Sequence, residues 1–366
     1  MSQTESKKTI VLTGGGSAGH VIPNLMLLQD LLAGGWDVHY IGSRTGVEAA
    51  LARREGVTYH TVSTGKLRRY LDIKNFLDPF RVIAGIFQSI FILLKLRPKI
   101  IFSKGGFVAV PVMLAGWLLR IPAVIHESDM TQGLANRISA PFAKKICLSF
   151  QKTMESLKPF ERAKAVYTGA PVRPELSAGD AGEGYRICGF NAGKPVLLVA
   201  GGSQGSGSLN RIVRSELPEL TKTWQVAHLC GRGNIDENLL GAVGYKQMEY
   251  AADELAHLYK ISRAAVSRSG SNTIFELLYL KIPSVLIPLP LSASRGDQIL
   301  NAAAFTKSGY CLKLDEKDAS APGSLTKTLS ELEAGYEKFL GAMKSAEIPE
   351  SKQMILDIIL QNAKKQ

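Results

Sequence analysis

The feature that most limits what this chain can fold into is an opening that occurs twice. Residues 9–13 (TIVLT) run into Gly14-Gly15-Gly16-Ser17-Ala18-Gly19. Some 187 positions later, residues 196–200 (VLLVA) run into Gly201-Gly202-Ser203-Gln204-Gly205-Ser206. Each is a short apolar run, a glycine turn and the start of a helical pattern. Such a unit is the beginning of a parallel strand–helix fold, in which glycine allows the tight turn. Further short apolar runs at 38–41, 99–102, 123–126, 145–148, 225–229, 264–267 and 284–287 read as buried strands. Many are separated by 10–15 residues of helical pattern, such as 22–32, which Gly34-Gly35 closes. The fold class is therefore α/β, with parallel sheets covered on both faces. Two openings predict two Rossmann-like halves, joined where glycine and proline cluster between 168 and 193. Ligands of such sheets bind beyond the carboxyl ends of the strands, so a cleft between the halves is expected.

The 366 residues suffice for about two domains. At 45% hydrophobic the chain is no disordered polymer. The longest apolar run in sequence, 82–94, is interrupted by Gln88 and Ser89 and falls short of the ~20 residues of a bilayer span. No export signal is read at the N-terminus. The four cysteines lack metal or disulfide spacing, so reduced thiols are expected. The net charge of +12 favours anionic partners: phosphates, nucleic acid or an anionic membrane. No nucleic-acid module is recognised, and none is expected to bind.

Gly14-x-Gly16-x-x-Gly19 matches the dinucleotide fingerprint in its letters. The acidic residue that would hold an NAD ribose is missing after 38–41, where Gly42-Ser43-Arg44 stands instead. Arg44 keeps an NADP reading open. His20, at the helix start, could act as a base or meet a phosphate. The second loop lacks a Walker ending, but Ser203 and its neighbouring N–H groups could cradle a diphosphate. Glu276 has two readings: a capping box with Thr273, or a carboxylate accepting both hydroxyls of a ribose. Asp297, Gln298 and Asn301 lie at another helix start, with amide and carboxylate groups suited to sugar hydroxyls. Residues 66–81 interleave Arg68, Arg69, Lys74 and Arg81 with Leu71, Ile73, Phe76, Leu77 and Phe80. That mixture fits an anionic membrane surface, or else a loop on its own domain.

Taken in order, these motifs resemble one family. They are residues 13–23 (TGGGSAGHVIP), Ser103-Lys-Gly-Gly-Phe107, His126-Glu-Ser-Asp129 with Gly133-Leu-Ala-Asn-Arg137, and Gly169-x-Pro171-Val-Arg173. Gly201-Gly-Ser-Gln-Gly205, Arg268-Ser-Gly270 with Glu276, and Asp297-Gln298-x-x-Asn301 complete the set. The resemblance is to the MurG family of peptidoglycan N-acetylglucosaminyltransferases, from about residue 9 to past 301. It implies a GT-B fold: domains at 1–168 and 169–342, with a C-terminal helix in 343–366 returning to the first. It implies inverting transfer of GlcNAc from UDP-GlcNAc to the MurNAc 4-hydroxyl of lipid I, giving lipid II at the cytoplasmic face of the membrane. No metal or other cofactor is expected.

By the same resemblance, Ser203 meets the donor diphosphate and Glu276 the ribose. Arg173 falls in a nucleotide-binding stretch, Asp297 and Gln298 hold the GlcNAc hydroxyls, and Ala252 lies at the uracil. Gly16, Ser17 and Ala18 face the diphosphate and acceptor. His20 and Asp129, with Glu127 third, are the expected bases. Alternatives from other classes are an NADP oxidoreductase, a UDP-sugar:diacylglycerol transferase and a non-enzymatic anionic-lipid binder.

Overall fold

The computed structural model describes residues 8–65, 74–202 and 205–363, with backbone alone for 74–77. The chain divides into two units: Met1–Pro171 with Pro349–Gln366, and Val172–Ile348. These bounds differ from 168/169 and 342/343. Pro171 closes the first unit, while Met343 is buried in the second and its carbonyl accepts from Lys281 Nζ.

Among the described residues, unit 1 holds seven strands: β1 (Lys8–Thr13), β2 (Trp36–Gly42), β3 (Thr58–Thr61), β4 (Ile100–Ser103), β5 (Ala123–Glu127), β6 (Lys145–Leu148) and β7 (Ala165–Tyr167). They lie in the order β3-β2-β1-β4-β5-β6-β7, all parallel. Unit 2 holds β8 (Val196–Ala200), β9 (Gln225–Leu229), β10 (Tyr245–Met248), β11 (Ser262–Ser267), β12 (Ser284–Leu286) and β13 (Cys311–Lys313). Their order is β10-β9-β8-β11-β12-β13, again parallel. In both sheets the strand order reverses beside the first strand, between β1 and β4 and between β8 and β11. Those switch points are where open α/β sheets bind ligands.

Alternation along each central strand feeds two cores. Ile10 and Leu12 join one apolar cluster of unit 1 while Val11 joins the other. Leu197 and Val199 likewise oppose Val196 and Leu198 in unit 2. The helix Ser351–Asn362 inserts Ile355, Leu356 and Ile359 into the unit 1 core beside Ile10, Leu12 and Leu28. Each such buried side chain contributes about 1.5–3 kcal/mol. Its Lys352 also pairs with Asp30 at 2.9 Å.

Two helices differ from expectation. The single helix read at 22–32 is broken into Ile22–Leu25 and Leu28–Ala33. The apolar run at 82–94 belongs to a helix of 23 residues, Lys74–Leu96. By length and composition, its Asp78–Leu96 stretch would suffice to cross a membrane. Its inner face is committed to unit 1: Ser89 and Leu93 are buried, and a Cβ on Gly85 would meet Ser63 O and Pro111. Its outer face is an apolar stripe, with Phe80 69%, Ile83 50%, Phe87 68%, Phe91 75% and Leu94 55% exposed. It is a surface helix with one dry and one greasy side.

Candidate functional site

In unit 1, three loops meet at the carboxyl ends of β1, β4 and β5. The first glycine loop touches the loop after β4: Gly15 N donates to Gly105 O at 3.3 Å, and Lys104 N to Thr13 O at 3.0 Å. Gly106, at φ +82°, lies so close that a Cβ there would collide with Gly15 O. A residue with a side chain would force the loops apart.

The first loop differs from a dinucleotide site. It leads into a single 3-10 turn, Ala18–His20, and then a helix of only four residues. One of its N–H groups, that of Gly16, donates at 3.2 Å to Glu48, a carboxylate fully buried beneath the loop. Glu48 also accepts from Ser43 N at 3.2 Å and Ser43 Oγ at 2.6 Å. A negative charge between the glycine loop and the end of β2 opposes a 2′-phosphate there, which overturns the NADP reading. Sequence spacing gave no signal for Glu48, since its partners lie in two other loops. Ser17 Oγ hydrogen-bonds His20 Nδ1 at 2.9 Å, which orients the imidazole, and Ala18 is buried.

After β5, Glu127 is consumed by structure. Its Oε1 accepts from Asp129 N at 3.0 Å. Its Oε2 accepts from Gly133 N and Asn136 Nδ2, both at 2.9 Å. A buried carboxylate with three internal donors shapes the loop and starts the helix Leu134–Ser139 rather than abstracting a proton. His20 and Asp129 are partly exposed, whereas Glu127 is not.

Behind these loops lies Lys104, the lysine of Ser103-Lys-Gly-Gly-Phe107, for which the sequence suggests no role. It is buried, with Nζ against His126 Nδ1 and Ser128 Oγ. Burial lowers its ammonium to about 7, while Glu127 and Asp129 work in the other direction. His126 Nε2 faces Gly169 O at 3.3 Å. Donation from Lys104 into Nδ1 therefore requires the neutral Nε2–H tautomer of His126. Burial, and then Lys104, hold this imidazole well below its ordinary range.

In unit 2 the second glycine loop stands at the β8/β11 switch point. Ser206 caps the helix Gly207–Ser215, accepting from Leu209 N at 3.5 Å. A Cβ on Gly205, at φ +74°, would strike Cys230 O. Ser203 lies outside the described residues. The buried Arg268 ties three strand ends together. Its Nε and Nη2 donate to Ser206 Oγ at 3.1 and 2.8 Å, and Nη2 also to Ser208 Oγ at 2.6 Å. Its Nη1 donates to Ile287 O and Pro288 O at 2.9 and 3.3 Å, and it pairs with Glu316. The fixed five-donor fork of arginine suits this, where a lysine would reach only part of it.

Glu276 is no helix cap. The helix Ser271–Leu280 is preceded by Gly270 with no side-chain cap, and Glu276 lies in its middle. Its carboxylate instead meets Arg173 at 3.0 Å and Tyr259 at 3.2 Å. Gln298 opens the helix Asp297–Lys307, and its Oε1 accepts from Leu289 N at 3.1 Å. Asn301 is buried and donates to Ser269 O at 3.2 Å, so it locks the loop after β11. Asp297 lies 3.8 Å from Arg295. Ala252 N donates to Glu254 Oε2 at 3.0 Å, on the loop after β10.

Of the membrane-patch residues, Arg68, Arg69, Leu71 and Ile73 lie outside the described residues, as do the side chains of Lys74, Phe76 and Leu77. Phe80 begins the exposed stripe, and Arg81 pairs with the buried Asp78 at 3.2 Å. A cavity of about 670 Å³ in unit 1 sits at the opposite, amino ends of the strands, lined by Lys8, Trp36, Lys99 and Leu356. Volume alone would therefore mislead, and strand order locates the site.

Comparison with known proteins agrees with this architecture. Residues 10–148 match the glycosyltransferase family 28 N-terminal domain, and 196–358 match the family 28 C-terminal domain. A protein of Clostridium tetani is 47% identical over 353 residues, covering 96% of this chain and 98% of its own. One of Geobacillus thermodenitrificans is 48% identical over 359 residues, covering 98% of this chain and 100% of its own. Both are named UDP-N-acetylglucosamine--N-acetylmuramyl-(pentapeptide) pyrophosphoryl-undecaprenol N-acetylglucosamine transferase. The crystal structure of Acinetobacter baumannii MurG superposes with a TM-score of 0.75 at 23% identity, covering 97% of this chain and all of the other. That likeness shows the GT-B fold.

Proposed function

The chain belongs to glycosyltransferase family 28, and we propose that it moves GlcNAc from UDP-GlcNAc to the MurNAc 4-hydroxyl of lipid I, giving lipid II for peptidoglycan. The observation that carries this reading is identity near one half, end to end, with transferases named for that reaction. The geometry supports it. A glycine loop braced by Arg268 stands at the switch point of unit 2, ready for a diphosphate. The Glu276 carboxylate beside Arg173 suits the donor's ribose, and the helix that starts at Asp297 and Gln298 suits its sugar.

The acceptor oxygen attacks the anomeric carbon as its bond to UDP breaks, with inversion. Charge grows on the leaving diphosphate, where the N–H groups and hydroxyls of loop 201–206 would stabilise it in place of a metal. One such donor is commonly worth ~10²–10³ in rate. The acceptor's proton goes to His20 or Asp129.

Attachment to the cytoplasmic face of the membrane is part of the proposal. Unit 1 carries 25 Lys and Arg against 13 Asp and Glu, and unit 2 carries 19 of each, so the whole excess of +12 falls on unit 1. The same unit bears the exposed stripe of the helix Lys74–Leu96, which carries Arg81 and Lys95 and is followed by Arg97. Basic charge beside exposed aromatic surface is what anionic lipid attracts.

The test is a thermal-shift titration in EDTA with UDP-GlcNAc, UDP-glucose, UDP-GalNAc and NADPH, followed by turnover of a lipid I analogue. A ligand at 100 times its Kd adds ~2.7 kcal/mol. Stabilisation by UDP-GlcNAc above the others, with GlcNAc transfer, is expected. Stabilisation by NADPH alone would overturn the reading.

A further inference from the structure

A fully buried lysine destabilises a fold unless charges of opposite sign face it. Lys104 is 1% exposed and directly follows β4. Its Nζ is clamped between His126 Nδ1, on β5, and Ser128 Oγ, in the loop that follows. His126 is fixed in turn. Its Nε2 lies 3.3 Å from Gly169 O and 3.4 Å from Ser149 Oγ, and its carbonyl accepts from Asn136 Nδ2 at 3.1 Å. One end of the clamp is thus anchored in the sheet, and the end it steadies is the loop that begins at Glu127.

The titratable groups that face Lys104 are Glu127 and Asp129 after β5, His126 on β5 and Cys147 on β6. From the first glycine loop, Gly14 packs uncharged backbone against its stem. Burial, and then Lys104 itself, hold the imidazole well below its ordinary range, and burial pushes the Cys147 thiol up to about 12. Both are therefore neutral near pH 7, and the two carboxylates are the charges that oppose the effect of burial on the ammonium. Glu127 has three internal donors of its own, whereas Asp129 is partly exposed. We propose that Lys104 is a positioning residue for the acceptor step: hydrogen-bonded to Ser128, one residue before Asp129, it holds the loop in place and supplies the buried positive charge that keeps the Asp129 carboxylate ionised beside Glu127. This rests on the reading of Asp129 as a group that receives the acceptor's proton. Two carboxylates two residues apart would otherwise favour a protonated carboxyl at one of them. Burial lowers the Lys104 ammonium to about 7, so its charge is present throughout the acid range in which a carboxylate takes up its proton.

The experiment measures kcat against pH, with UDP-GlcNAc and a lipid I analogue, for the wild type, Lys104→Met, Asp129→Asn and the double variant. Lys104→Met keeps the length of the side chain and removes its charge. It should lower the plateau kcat about tenfold, as for loss of a hydrogen bond from a charged group, with donor KM nearly unchanged. It should also move the acid limb of the profile to higher pH by about one unit, as for loss of a neighbouring opposite charge. In the Asp129→Asn background the same change should alter kcat less than about twofold, because the group it serves is gone. A packing defect would cost as much in either background and would leave the limb in place. Equal losses in the two backgrounds, or an unmoved limb, would overturn the proposal. A slow Asp129→Asn protein beside a Lys104→Met protein like the wild type would overturn the proposal and leave the Asp129 reading standing. An Asp129→Asn protein with the kcat of the wild type would overturn both. Should Lys104→Met fail to fold, Lys104→Gln keeps a donor without the charge. An acid limb displaced upward would then support the proposal, and an unmoved one would overturn it.

Discussion

Replacing Phe80, Phe87 and Phe91 together with glutamine should detach the protein from anionic vesicles while sparing its chemistry. The three rings are 69%, 68% and 75% exposed, on one side of the helix Lys74–Leu96. A phenylalanine presents roughly 200 Å², so they expose about 420 Å² together. At about 25 cal/mol per Å², full removal from water would yield ~10 kcal/mol. A helix lying in the interface inserts only part of that surface, and half gives ~5 kcal/mol, a factor of ~10³–10⁴ in partitioning. Side chains this exposed hold little of the fold together, so melting should change by about 0.5 kcal/mol or less. The assay is co-sedimentation with phosphatidylglycerol vesicles beside turnover of a short-chain, water-soluble acceptor. Partitioning within about threefold of wild type would refute the stripe as the membrane contact. Loss of turnover on the soluble acceptor would refute the claim that the stripe is separate from the chemistry.

Other outcomes follow from the loops. His20→Ala should lower kcat far more than it weakens UDP-GlcNAc binding, and equal losses by kinetics and calorimetry would remove His20 as the base. Arg268→Lys should raise the donor KM at least about tenfold with acceptor KM unchanged, because one amine cannot span Ser206, Ser208 and two carbonyls. Lys104 gives a pH signature. Its folded pKa of about 7 lies below the 10.5 of the unfolded chain, so between those values the unfolded state binds more protons and stability rises with pH. The destabilising contribution is full below pH 7 and fades toward 10.5, by at most ~5 kcal/mol. Urea melts of wild type and Lys104→Met should therefore shift in favour of the wild type between pH 7 and 9.5. A constant difference would refute a buried ammonium.

The central strands were legible in the sequence because burial on both faces writes a continuous apolar run, as in VLLVA. The four strands that escaped notice, β3, β7, β10 and β13, are the four sheet edges. Edge sequences such as TYHT and YKQM are half solvated and carry no such run. The glycine loops were legible as turns, but not what lies beneath them. Glu48 meets Gly16, Lys104 meets His126 and Ser128, and Tyr259 meets Glu276, all 17–32 positions apart, and no local spacing encodes those contacts. Glu276 stands out in the sequence, yet the apparent capping box with Thr273 does not form, because the helix starts at Ser271 and leaves the carboxylate to meet Arg173.

The return of residues 351–362 to unit 1 bears on the order in which the protein matures on the ribosome. The core of unit 1 waits for Ile355, Leu356 and Ile359, which emerge only after all of 172–348 has been made. At roughly 5–20 residues per second, that delay is on the order of ten seconds or more. Unit 2 is continuous in the chain, and all its parts are available before the earlier half can close. During that interval unit 1 holds an open apolar groove beside Ile10, Leu12 and Leu28, and the nascent chain is most exposed to aggregation and to chaperones there.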